Sequence, residues 1–137
     1  MKPACVDSNV ILRFLTREPA DMAGQALALF TAVQNGEISL ILEEIALAEV
    51  VWVLKSYYRY PPDKVCNVLQ ELVNFPGIEC EHKTTILIAL RLFASKNMDF
   101  ADAMIAAHMV RKGIDSIYSF DTHFDRMPGI TRLVPGQ

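Results

Sequence analysis

Cysteine, long apolar runs and surplus positive charge are all scarce in this chain. Its three cysteines, Cys5, Cys66 and Cys80, are odd in number among 137 residues and contain no C-x-x-C pair. That argues against a disulfide framework or a thiolate zinc site, and fits reduced, mostly buried thiols in a cytoplasmic protein. No apolar stretch approaches the ~18 residues that cross a bilayer, so no membrane partner is expected. Asp7 interrupts the N-terminal apolar stretch that would have to form the core of a secretory signal. Lys and Arg total 13 against 16 Asp and Glu, a formal charge of −3, which excludes a protein that coats nucleic acid indiscriminately. His82, His108 and His123 lack any metal-ligand spacing and read as structural or surface side chains. G-x-G-x-x-G and G-x-x-x-x-G-K-[ST] are both missing, which removes dinucleotide and P-loop readings.

What is present is a globular composition, 52% hydrophobic and 21% charged, of single-domain length over residues 1–137. Short strands are predicted at Ala4–Asp7, Ser39–Leu42, Ile78–Glu81, Ser116–Phe120 and Ile130–Val134. Helices are predicted at Asn9–Leu15, Ala20–Gln34, Ile45–Tyr58, Asp63–Asn74, Thr84–Ser95 and Phe100–Arg111, with a single turn at Thr122–Arg126. Gly36 stands as a C-terminal stop, and Pro62 pre-sets the first turn of its helix. Ile45–Tyr58 is apolar nearly all round and therefore reads as a central helix. Strands alternating with helices predict an α/β protein, a three-layer α/β/α sandwich around a short, mainly parallel sheet. In such sheets the ligand site lies at the carboxyl ends of the strands.

Four acids stand in unusual surroundings. Ile45–Leu54 (IALAEVVWVL) carries one charge, Glu49, and Phe100–Ala107 (FADAMIAA) carries one, Asp102. Asp7 ends the apolar strand ACV, and Asp121 ends IYSF. An ionised carboxylate buried alone costs several kcal/mol, roughly, and is avoided by pairing, protonation or metal coordination. Carboxylates sharing one pocket repel unless a cation joins them. Oxygen donors without His or Cys select a hard ion, Mg²⁺ or Mn²⁺, and such ions perform phosphoryl chemistry. Removal of Asp121's charge from the metal-free protein is accordingly expected to stabilise it. Asn9 follows the first strand, and Arg13 lies one helical turn beyond it, placed to position substrate phosphate. Ser119 shares a strand face with Asp121, two residues on.

Four segments together resemble the PIN domain family, and within it the VapC-type toxin ribonucleases of type II toxin–antitoxin systems. They are VDSNVILRFL (Val6–Leu15), LAEVVWVL (Leu47–Leu54), DFADAMIAA (Asp99–Ala107) and SFDTHFDRMPGI (Ser119–Ile130). Their order and spacing carry the resemblance, which runs the length of the chain. It implies an acidic quartet at Asp7, Glu49, Asp102 and Asp121 that holds Mg²⁺ or Mn²⁺ and hydrolyses an RNA phosphodiester with water. Asp99 aligns beside the quartet as a helix cap, and Asp125 falls one turn after Asp121. The resemblance also implies a homodimer and a groove for a VapB-like antitoxin.

Net acidity is no obstacle to RNA. Setting the four site acids aside leaves 12 acids against 13 bases. Two other readings remain open. A haloacid-dehalogenase-like phosphatase needs a second Asp two residues after the first, where this chain has Asn9. A non-catalytic PIN-like module that binds RNA or protein would have no use for a complete quartet. Trp52, Phe14, Phe30, Phe93 and Phe100 fall at helical core spacing and read as packing, while Tyr57, Tyr58 and Tyr60 mark a half-exposed helix end.

Overall fold

A computed structural model describes residues 3–137, which form two compact units that meet in sequence between Lys83 and Thr84. The protein is mixed α/β, with helices alternating with short strands that pair in parallel. No helix among the described residues is long and apolar enough to cross a membrane.

In the first unit, β1 (Pro3–Cys5), β2 (Ser39–Ile41) and β3 (Ile78–Glu79) form a parallel sheet in that order. The register sets Cys5 opposite Ile41 and Leu40 opposite Ile78. Parallel neighbours need crossover connections. Helices α1 (Ser8–Thr16) and α2 (Ala20–Gln34) make the first, and α3 (Glu44–Ser56) and α4 (Pro62–Val73) the second. Gly36 follows α2 with φ 79°, the left-handed geometry expected of a stop, and Pro62 opens α4. Phe14 stacks on Phe30 with ring centroids 4.0 Å apart, and Phe75 meets both edge-on. Such pairs add about 0.5–1.5 kcal/mol beyond the area they bury. Phe75-Pro76-Gly77 then turns the chain into β3. A Cβ at Gly77 (φ 88°) would stand 2.6 Å from Val33 Cγ1, so only glycine fits between the turn and α2.

Helix α3 departs from the all-round burial predicted for it. Leu47, Val50, Val51 and Leu54, spaced three and four apart, form its buried stripe. Ile45, Glu49 and Trp52 fall on the opposite side and are exposed, Trp52 by 67%. Trp52 is thus no core residue, because an i, i+4, i+7 stripe has two possible faces and the denser aliphatic one won. Phe30, Phe93 and Phe100 are buried as expected, and Phe14 is half-buried. Of the cysteines only Cys66 is buried. Cys5 is exposed on β1, and Cys80 is half-buried with its thiol pKa raised chiefly by desolvation.

The second unit holds α5 (Lys83–Lys96, with Lys83 itself in the first unit), α6 (Phe100–Lys112), β4 (Ser116–Tyr118), a 3-10 turn (Thr122–Arg126) and β5 (Thr131–Leu133). Gly113 ends α6 in the left-handed region, and β4 pairs in parallel with β5. Phe124 anchors the 3-10 turn in a core with Met98, Ala106 and Met127. Strand β4 is shorter than its apolar run predicts. Ser119 N still bonds Leu133 O (3.0 Å), but at Asp121 the chain turns onto Ser119 and leaves Phe120 exposed.

Candidate metal centre

Asp7 ends β1's segment and is also the N-cap of α1. Its Oδ1 accepts from Asn9 N (2.8 Å) and Val10 N (3.3 Å), two of the orphan amides at the helix start. The next residue, Ser8, donates from Oγ to Glu49 Oε2 at 2.6 Å. That bond ties α1 to α3 and holds the Glu49 carboxylate beside the segment carrying Asp7. Both acids are exposed, so the expectation of a charge sunk in an apolar helix is corrected for Glu49. Its helix has an apolar but open stripe, and the acid lies within it.

The second unit brings Asp102 and Asp121 together. Asp102 lies in the first turn of α6, where the positive end of the helix dipole favours a carboxylate. Asp121 follows β4 and caps the 3-10 turn, its Oδ1 accepting from His123 N (2.9 Å) while Ser119 Oγ accepts its own N–H (2.9 Å). Both carboxyls are half-buried. Desolvation first, then the charge and hydrogen bond of Asp121, raise the pKa of Asp102 from its ordinary value. The helix dipole does not offset this. Asp121 moves the other way, lowered chiefly by the His123 backbone N–H. Of the two carboxyls, Asp102 is therefore the first to take up a proton as pH falls.

A ligand-capable atom from each of Asp102, Asp121 and His123 lies within 4.8 Å of the others. His123 Nδ1 is 3.1 Å from Asp121 Oδ1, yet it is shielded from solvent and lacks an aligned hydrogen bond. The donor set fits a divalent ion, with hard carboxylate oxygens plus one imidazole. The sequence does not display His123 as a ligand candidate, because its spacing from His82 and His108 fits no ligand motif and its partner is an Asp two residues earlier. His82 lies 3.4 Å from Glu81, and His108 accepts from Arg111, as side chains outside this cluster.

The remaining sequence candidates resolve individually. Ser119 positions Asp121 through the backbone bond just described. Asn9 supports Asp7 with its backbone N–H, while Asn9 and Arg13 share one wall of a cleft of about 480 Å³ between α1 and α2. Arg13 Nη1 donates to Glu18 O at 3.4 Å. Asp99 occupies the cap position of α6 without a side-chain cap bond, and its charge contributes to raising Asp102. Asp125 is exposed but paired: Arg132 grips both its oxygens, at 3.0 and 3.2 Å, and also bonds Ser119 O. No spacing rule links residues seven apart across a turn, so that pair was illegible in the sequence.

A pH dependence follows from the Asp102–Asp121 pair. The raised carboxyl of Asp102 binds its proton more tightly folded than unfolded, so its contribution to stability is present at acidic pH and lost as pH rises through the folded value. The lowered Asp121 works oppositely, contributing above its unfolded value and losing that as pH falls. In metal-free urea denaturation, Asp102→Asn is expected to flatten the decline of stability as pH rises through the folded Asp102 value, while keeping the acid-side loss. An unchanged profile would contradict the pairing.

A family model described as the PIN domain matches residues 4–130, and the chain belongs to that family. Among curated relatives, a VapC ribonuclease of Aquifex aeolicus is 24% identical over 122 residues, covering 89% of this chain and 90% of that protein. Ribonuclease VapC13 of Mycobacterium tuberculosis is 27% identical over 133 residues, 93% of this chain and 97% of its own. VapBC2 from Rickettsia felis, solved bound to a DNA fragment from their promoter, covers 97% of this chain and 98% of its own at 16% identity and a TM-score of 0.38, too distant to bear on the fold.

Proposed function

We propose that this chain is a single-domain, Mg²⁺- or Mn²⁺-dependent endoribonuclease, the toxin of a pair completed by a VapB-like antitoxin. The reading rests on family membership, on ribonuclease relatives that match over nearly their full length, and above all on one observation: Asp102 and Asp121, with His123, bring one ligand-capable atom each within 4.8 Å of one another. Two half-buried acids in that relation invite a cation.

In this reading Asp7, Glu49, Asp102 and Asp121 together serve the metal. Ser8 fixes the Glu49 carboxylate, Ser119 and the His123 amide fix Asp121, and the α1 amides fix Asp7. A bound Mg²⁺ or Mn²⁺ would supply Lewis acidity, offsetting charge on the phosphate and making water nucleophilic near neutral pH. Asn9 and Arg13 position the substrate backbone from the helix face they share. Attack by water, not by the 2′-hydroxyl, leaves a 5′-phosphate and a 3′-hydroxyl. The reduced thiols fit a cytoplasmic setting, and a homodimer and an antitoxin groove accompany the family resemblance.

Incubating the chain with RNA oligonucleotides in Mn²⁺ or in EDTA tests this. Cleavage only with metal, yielding 5′-phosphate ends, is the expected result. Cleavage that persists in EDTA, or 2′,3′-cyclic ends, would overturn it.

A further inference from the structure

Within the proposed metal centre the donor set includes a nitrogen that the acidic quartet does not. Asp102, Asp121 and His123 place one ligand atom each inside a 4.8 Å span. His123 Nδ1 and Asp121 Oδ1 are 3.1 Å apart, close to the ~3.0 Å edge of an octahedron with ~2.1 Å metal–ligand bonds. The same nitrogen is shielded from water and has no aligned hydrogen-bond partner. A shielded nitrogen with no aligned hydrogen bond is better satisfied by a partner on its lone-pair side, and a metal ion is one such partner. The backbone fixes the nitrogen there: His123 N donates to Asp121 Oδ1, and Phe124 behind it is locked into the core.

We infer that His123 is a direct nitrogen ligand of the divalent ion and biases the site toward Mn²⁺ over Mg²⁺. The inference rests on the proposed metal centre and adds to it a ligand and a metal preference. Imidazole suits borderline ions, and the gain from a nitrogen donor is smallest for Mg²⁺, which prefers oxygen and its own waters. The geometry of the turn, not the family's acids, decides the preference.

The test uses the full chain stripped with EDTA and titrated with Mn²⁺ or Mg²⁺ alone. Wild type, His123→Ala, His123→Asn and Asp102→Asn are compared by calorimetry and by pulsed electron paramagnetic resonance of the Mn²⁺-loaded protein. Wild type is expected to show nitrogen hyperfine modulation, lost in both His123 variants. His123→Ala should weaken Mn²⁺ about 10-fold and Mg²⁺ no more than about 3-fold, in the range found for groups that tune a metal site. His123→Asn, which puts an oxygen near the Nδ1 position, should keep Mg²⁺ affinity while losing the Mn²⁺ preference. Absence of nitrogen modulation in wild type, or an unchanged Mn²⁺/Mg²⁺ ratio in both His123 variants, would overturn the inference. If Asp102→Asn still loses Mn²⁺ in that case, the metal centre stands without His123; if Asp102→Asn binds as wild type does, the centre itself fails.

Discussion

Asp7→Asn is expected to lower Mn²⁺-dependent RNA cleavage about 10³-fold while leaving the fold intact. A metal stabilises a phosphoryl transition state by several kcal/mol, and each ~1.4 kcal/mol is tenfold in rate. Asparagine keeps a carbonyl oxygen for the amides of Asn9 and Val10, and Asn caps a helix about as well as Asp. The variant therefore removes a charge without removing the cap that starts α1. Glu49→Gln should behave alike, since an amide oxygen can still accept from Ser8 Oγ. Single-turnover cleavage of a labelled RNA, with circular dichroism as the control for folding, measures the effect. Activity within tenfold of wild type would remove Asp7 from the metal site.

The second large effect is thermal. Metal at about 100 times its Kd stabilises a folded protein by about 2.7 kcal/mol, which for a chain of this size raises Tm by about 10 °C. Without metal the two neighbouring carboxylates are expected to burden the fold, and Asp102 is the one expected to bear it. Like-charge reasoning from sequence points to Asp121, but Asp121 is held ionised by the His123 amide, whereas Asp102 is the carboxyl whose proton affinity rises. Asp102→Asn should raise the Tm of the metal-free protein by a few degrees and abolish most of the Mn²⁺ response. Asp121→Asn should lose the response with little gain in the metal-free state. Differential scanning fluorimetry in EDTA and in Mn²⁺ separates the two. Equal metal responses in wild type and both variants would contradict a site at these residues.

The elements were legible where local chemistry dominates. Helix α2 matches its predicted bounds because an apolar stripe from Ala23 to Val33 ends at Asn35-Gly36. The ends of β1 and β4 were overrun because an apolar run does not reveal where ladder bonds give way to a cap, as they do at Asp7 and Asp121. Those caps are what the sequence could not display: the acids read as strand terminators, while the structure makes each of them the N-cap of the next element. Trp52 misled because hydrophobicity marks a residue as able to be buried, and α3 offers two apolar stripes with room for one inside. His123 and the Arg132–Asp125 pair depend on the path of a turn, which periodicity does not encode.

The most direct test of the central claim is calorimetric Mn²⁺ affinity for four single variants, Asp7→Asn, Glu49→Gln, Asp102→Asn and Asp121→Asn. If the four carboxylates serve one metal centre, each variant should weaken Mn²⁺ by at least about 10-fold, a shift of about 1.4 kcal/mol. Wild-type affinity in Asp7→Asn and Glu49→Gln, alongside loss in Asp102→Asn and Asp121→Asn, would contradict it.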